Sequence, residues 1–197
     1  YMEAFHTSQV AQEANQEGNM SPAATAVCHS IELANRVVYQ LSQDQGSYKG
    51  MGSTAAVAYF HNGTLITANV GDSRIYRMRD SRLSCLTVDH TFTQDMIFEG
   101  EINLEEALLH PLRHMLTRAV GTGEPLSLVD SRIDRLKPSD RFLLCTDGLY
   151  NASSGSNILG SLSRQNAAPE AAAKLVKQAL RQGARDNVTA IVIDCHE

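Results

Sequence analysis

At 197 residues and 43% hydrophobic content, the chain is long enough for one domain with a substantial core. Its formal net charge is -5 and its 17 basic residues are dispersed, which argues against a nucleic-acid partner. No apolar run approaches a membrane span and no signal-peptide pattern opens the chain. The four cysteines, Cys28, Cys85, Cys145 and Cys195, are scattered in apolar settings without C-x-x-C spacing. A cytoplasmic protein with buried free thiols, and with no membrane or nucleic-acid partner, is expected.

In chain order, residues 1–20 are polar and weakly periodic. Ser21-Pro22 reads as an N-cap followed by proline at the first helical position, opening a helix to about Leu41. Its expected buried face is Val27, Ile31, Ala34, Val38 and Leu41. From Ser53 the texture becomes alternating and β-branched. A strand from Thr54 to Phe60 turns at His61-Asn62-Gly63 into Thr64 to Val70, and Asn-Gly between two such runs is a strong hairpin signal. A strand from Arg74 to Met78 turns at Arg79-Asp80-Ser81 into Leu83 to Val88. Residues 92–118 leave the sheet as a flap, with helical segments around Leu104 to Leu109 and after Pro111. Strands follow at Ser127 to Ile133 and Arg141 to Cys145, separated by the turn Pro138-Ser139-Asp140. Helices are expected near Ser156 to Ser163 and from Pro169 to Arg181, the latter burying Ala172, Leu175, Val176, Ala179 and Leu180. A last strand runs from Val188 to Asp194. Hairpins with helices before, between and after them predict an α+β layered fold and not alternating βα units.

Three acids share one framing. The apolar run Leu143-Leu144-Cys145 ends in Thr146-Asp147-Gly148, Asp186-Asn187 opens another strand, and Asp72 sits in Asn69-Val70-Gly71-Asp72-Ser73-Arg74. Carboxylates delivered at strand ends and widely separated in sequence suggest one site for a hard divalent cation. Taken singly, an Asp-Gly after a strand is a turn, Asp186-Asn187 an Asx motif, and Asp72 a partner for Arg74.

Six blocks occur in order: Met51-Gly52-Ser53-Thr54; Ala68 to Arg74 with Tyr76; Leu86-Thr87 with Asp89-His90; His110-Pro111 with Leu116-Thr117-Arg118-Ala119; Leu143 to Leu149; and Asp186-Asn187-Val188-Thr189. Together, over roughly residues 21 to 195, they resemble the PPM or phosphatase 2C family of metal-dependent protein serine/threonine phosphatases in its compact bacterial form. The resemblance implies an α-β-β-α sandwich of two antiparallel sheets and a dinuclear Mn²⁺ or Mg²⁺ centre, whose bridging water attacks a phosphoserine or phosphothreonine. By motif, Asp147 and Asp186 hold the second core metal, and Asp72 with Asp147 holds a weaker third ion. Asn187 and Gly148 support them, and no catalytic residue beyond the metal ligands is implied. A phosphorylated protein substrate, an opposing serine/threonine kinase and a monomeric state complete the expectation.

The chain also departs from the family pattern. An early acidic strand and an Asp-Gly loop, whose aspartate bridges both core metals, precede the first long helix in the family. Residues 1–20 contain no Asp-Gly pair, and Glu3, Glu13 and Glu17 lack the framing. The N-terminal strands are therefore expected to be missing from this chain, which by itself would be inactive or weak. The alternative is a catalytically degenerate pseudophosphatase acting as a regulatory binding module. Ser139 stands where relatives usually have glycine, Ala184-Arg185 where a glycine is common, and His114 where asparagine is common. Arg74 and Arg118 could bind phosphate or pair with buried acids. His90, His110 and His114 could supply a general acid, although packing or capping is the plainer role. Gly52 most simply serves close strand packing.

Overall fold

The computed structural model describes residues 20–43, 46–126, 128–163 and 165–196. Two antiparallel sheets face each other. The first has the order β1-β2-β5, with β1 at Ala55–His61, β2 at Thr64–Val70 and β5 at Asp130–Arg135. The second has the order β4-β3-β6-β7, with β3 at Arg74–Arg79, β4 at Arg82–Cys85, β6 at Arg141–Cys145 and β7 at Ala190–Asp194.

The period-2 alternation of a strand sorts side chains into layers. Leu65, Ile75, Leu86 and Phe142 are buried together between the sheets, with Ala56, Phe60, Leu144 and Ile193 packed around them. The opposite face of the first sheet, through Ala68 and Val70, meets Cys28 and Ile31 of helix α1 (Pro22–Gln43). The opposite face of the second, through Tyr76, Met78 and Leu143, meets Ile158, Leu162 and Leu175. These come from α5 (Gly155–Ser161), the residue capping it, and α6 (Ala168–Arg181). The α-β-β-α layering expected from the family resemblance is therefore present.

The tight turns follow their residues. Asn62 and Gly63, and then Asp80 and Ser81, have positive φ, the backbone that closes a two-residue hairpin with the right twist. Ser139 is held at φ 69, which accounts for the glycine that relatives prefer there.

Several boundaries and faces differ from expectation. Ser21 caps α1 by accepting from the Ala24 N–H at 3.2 Å, but the buried face is Ala24, Cys28, Ile31, Asn35 and Ser42. Ala34 and Leu41 are exposed instead. The rotation has a polar cause: Asn35 accepts from Gly121 N at 2.7 Å and donates to Gly123 O at 2.8 Å, and Ser42 donates to Gly121 O. Two side chains that apolar periodicity ignores thus set the helix's roll. In α6, Ala171, Leu175 and Ala179 are buried while Leu180 is exposed.

The flap holds α2 (Phe92–Phe98), which the periodicity did not reveal, and α3 (Leu104–Leu109). Thr91 caps the first by accepting from Gln94 N, and Asn103 and Glu106 form a capping box on the second. The segment after Pro111 is a turn and not a helix. Strand β4 ends at Cys85, β5 starts at Asp130, and β7 starts at Ala190. The expected strand start at Ser127 lies outside the described residues. All four cysteines are free; Cys28 and Cys145 are buried, and Cys85 and Cys195 are half-buried. No described helix is long and apolar enough to cross a membrane.

One ion pair locks the end of the sandwich farthest from Asp72. Asp140 is fully buried and accepts from Arg79 Nε and Nη2, both at 2.6 Å, and from Lys137 N at 2.9 Å. Burial alone would raise its pKa, but the Arg79 guanidinium and the Lys137 amide outweigh that and hold it below the ordinary 3.8. Because the folded pKa is depressed, the stabilisation is complete above about pH 4 and is lost as the pH falls through the carboxylate range. Asp140→Ala should lower the unfolding free energy by roughly 2 kcal/mol in urea titrations near neutral pH, since it removes the buried carboxylate that a half-buried guanidinium is paired with. The gap to wild type should narrow below pH 4, and a gap that widened on acidification would contradict this assignment.

Candidate metal centre

Three turns carry the acids. The first, Gly71-Asp72-Ser73, joins β2 to β3. Gly71 has φ 100, and a Cβ there would lie 2.4 Å from Thr54 Cγ2, so both its backbone and its surroundings demand glycine. The turn is gripped on all sides. His90 Nδ1 accepts from Gly71 N at 3.1 Å, and His90 N donates to Gly71 O at 3.0 Å. Ser73 and Thr54 share a hydroxyl hydrogen bond of 2.8 Å. Tyr150 donates its hydroxyl to Asp72 O at 3.0 Å.

The second turn follows β6. Asp147 opens the single-turn helix α4 (Asp147–Tyr150), and its Oδ2 accepts from Asn151 Nδ2 at 3.3 Å. The same short helix thus presents Asp147 and, three residues on, the tyrosine that holds the Asp72 turn.

The third turn precedes β7. Asp186 Oδ1 accepts from Asn187 N at 2.7 Å, one residue on, which is not the two-residue bond of an Asx turn. Thr146 splices this turn to the second, donating from Oγ1 to Asn187 O at 3.2 Å and accepting from Thr189 N at 3.1 Å. Gly148 is pressed against the same main chain: a Cβ there would lie 2.4 Å from Asn187 O and 3.2 Å from Asp186 O. The contacts seen here run through the Gly148 backbone and the main chain of Asn187.

Electrostatics register the convergence. The Asp72 carboxyl is pushed above its ordinary pKa by burial first, and then by the negative charges of Asp147 and Asp89. Asp186 is exposed. Among the described residues, no three His, Cys, Asp or Glu side chains converge into a cage for a single ion. Glu3, Glu13 and Glu17 lie outside the described residues.

Both arginines singled out from the sequence have acid partners. Arg74 does not pair with Asp72; it forms a two-pronged bond to Asp89, with Nε to Oδ1 at 2.9 Å and Nη2 to Oδ2 at 2.7 Å. It also donates to Tyr76 OH at 3.0 Å and lies 3.6 Å above the Tyr150 ring. Arg118 donates to Asp130 Oδ1 at 3.1 Å and lines a cleft of about 410 Å³ with Gly52, Ser53, Thr54, Leu116 and Thr117. A second cleft, about 620 Å³, lies far from the acids around Met78, Asp80 and Ser139.

His90 is fully buried and bonded at both ring nitrogens, and His110 Nδ1 accepts from Leu112 N, a capping role. His114 is exposed. Gly52 approaches Val120 O and Thr122 Cγ2, so its close contact is with a loop. Sequence reasoning missed the parts played by Tyr150, Thr146 and Asp130. Tyr150 could have been found from its spacing to Asp147; nothing local marks Asp130.

A family model described as Protein phosphatase 2C matches residues 2–96. The chain is 36% identical to the serine/threonine protein phosphatase PstP of Mycobacterium tuberculosis across 84% of its own length, but spans only 32% of that relative. It is 32% identical to the protein phosphatase PhpP of Streptococcus pneumoniae, covering 86% of this chain and 68% of the relative. Its fold matches a crystal structure of the PstP catalytic domain in complex with two manganese ions, with a TM-score of 0.79 and 29% identity. That match covers all of this chain and 82% of the other. Identity above 30% across two thirds of PhpP, on a shared pair of antiparallel sheets, makes this chain a member of the protein phosphatase 2C family.

Proposed function

We propose that the protein hydrolyses phosphoserine and phosphothreonine in protein substrates, using Mn²⁺ or Mg²⁺ held by Asp147, Asp186 and Asp72. The observation that carries this reading is the splice at Thr146 and Gly148, which locks the Asp147 and Asp186 turns together while Tyr150 draws in the Asp72 turn. The donors suit the ions: all are carboxylates, and Asp72 and Asp147 repel one another without a cation between them. The manganese-bound PstP neighbour supports the same choice of metal.

In this reading, Asp147 and Asp186 hold a core ion, and Asp72 with Asp147 holds a weaker one. When bound, such ions activate water and neutralise phosphate oxygens as the alkoxide departs. The chain's own residues fix the ligands: Tyr150 and His90 set the Asp72 turn, and the Asn187 main chain sets Asp186. Arg74 pairs with Asp89, which supports the structural reading of that residue. Arg118, beside an open cleft, is the cation nearest a substrate path. A monomer working in the cytoplasm against a serine/threonine kinase completes the proposal. The relatives support an enzyme, and no observation favours a purely regulatory module.

The full-length protein should hydrolyse p-nitrophenyl phosphate and a phosphothreonine peptide with Mn²⁺, and EDTA should remove the activity. Asp147→Asn should lower kcat/KM by at least about a hundredfold, more than the loss typical of a residue that only orients a ligand. An intact protein that binds no metal and is inert at every Mn²⁺ concentration would sink the proposal.

Gly148→Ala tests the splice separately. Its methyl group would drive the Asp186-Asn187 turn away, weakening Mn²⁺ binding by roughly tenfold in calorimetric titration. Gly160→Ala, in open space within α5, should leave binding unchanged. Equal effects from both would remove Gly148 from the metal centre.

A further inference from the structure

His90 is fully buried, and the reading above uses only its grip on the Asp72 turn, leaving its second ring contact without a role. It sits where three parts of the molecule meet. Its main-chain N donates to Gly71 O, its main-chain O accepts from Thr117 N at 3.0 Å, and the flap starts two residues later. Thr91 bridges Leu116 across the flap's stem, and Phe92 N donates to Met115 O at 2.9 Å. His90 is thus the junction between the flap's two ends and the Asp72 turn.

Its ring spans the same junction. The Gly71 N–H can only donate, so Nδ1 must present its lone pair, and Nε2 carries the hydrogen. Nε2 then donates to Asp130 Oδ2 at 3.0 Å, and the other oxygen of Asp130 accepts from Arg118 at 3.1 Å. The chain of contacts runs from the cleft beside the flap, through Arg118, Asp130 and the His90 ring, to the amide preceding Asp72. Thr54, in the wall of that cleft, touches Gly71 and Ser73 from the other side.

We propose that His90 is a positioning residue that couples the Arg118–Asp130 pair at the base of the flap to the Gly71–Asp72 turn. What engages Arg118 in the cleft thereby alters how Asp72 is presented. The inference rests on the reading of Asp72 as a metal ligand.

Two near-isosteric variants of the full-length protein divide the ring's functions. In His90→Asn the side-chain oxygen can take the place of Nδ1 and accept from Gly71, but the side chain falls short of Asp130. In His90→Gln the amide can reach Asp130 but leaves Gly71 without its acceptor. Two readouts are used: hydrogen exchange at the Gly71 amide, and Mn²⁺ affinity at the weakest site by calorimetry. His90→Asn should keep Gly71 exchange within about twofold and weaken Mn²⁺ binding by about the fivefold that loss of the Arg118 link costs, whereas His90→Gln should change both by about tenfold, as loss of one buried hydrogen bond implies. Arg118→Met should weaken the same Mn²⁺ site by about fivefold in the wild-type background and add nothing in the His90→Asn background, where the chain is already cut.

Equal behaviour of the two His90 variants, or an Arg118→Met effect of the same size in both backgrounds, overturns the coupling. A Gly71 response without any Mn²⁺ response overturns the role toward Asp72. A wild-type protein that binds no Mn²⁺ fails at an earlier step and brings down the functional reading itself, so the two failures are told apart.

Discussion

The guanidinium of Arg74 holds the acid-bearing end of the molecule together. It leaves β3 directly after the Asp72 turn, forms a two-pronged bond to Asp89, reaches Tyr76 OH and stacks on the Tyr150 ring. Burial penalises a cation, so the site survives only because every face of the group is compensated; Asp89 and Tyr76 more than offset that penalty and raise its pKa well above the ordinary value. Fixing Arg74 fixes Tyr150, and Tyr150 fixes Asp72 O. The placement of the candidate ligands thus depends on a cation whose closest acid partner is Asp89.

Asp89 and His90 work as a pair around this anchor. Adjacent residues on one extended segment hold the same turn from two directions, Asp89 through Arg74 and His90 through both backbone groups of Gly71. The Asp72 carboxyl lies among other acids, and its pKa is raised by burial first and then by repulsion from Asp147 and Asp89. Rigid main-chain restraint sets this repulsion against fixed geometry, which makes the turn receptive to a divalent cation. The flap issues from the same segment, so its mechanical link to the acids is short.

The hairpins, the outer helices and the inter-sheet core were legible because each rests on local chemistry. Asn62-Gly63 and Asp80-Ser81 close their turns by backbone preference, and the alternation of Ile75 with Tyr76 or Phe142 with Leu143 assigns faces without further information. The errors were equally physical. The roll of α1 follows Asn35 and Ser42, whose partners lie more than seventy residues away in sequence, and apolar periodicity cannot register them. Helix α2 is seven residues long and capped by a single threonine, too short for a 3.6-residue period to stand out.

Strand-end framing in the sequence by itself singled out the candidate acids Asp72, Asp147 and Asp186, along with the α+β layering and the family order of motifs. Short-range chemistry suffices for this, because each acid's turn is built from the residues around it. Only the tertiary structure decided how the acids are brought together and held. Gly148 against the Asn187 main chain, Tyr150 on Asp72, and His90 between Gly71 and Asp130 are contacts between segments 19 to 78 residues apart. Such contacts arise from sheet pairing and burial, which no single segment encodes, and they give Arg74 and Arg118 their partners Asp89 and Asp130.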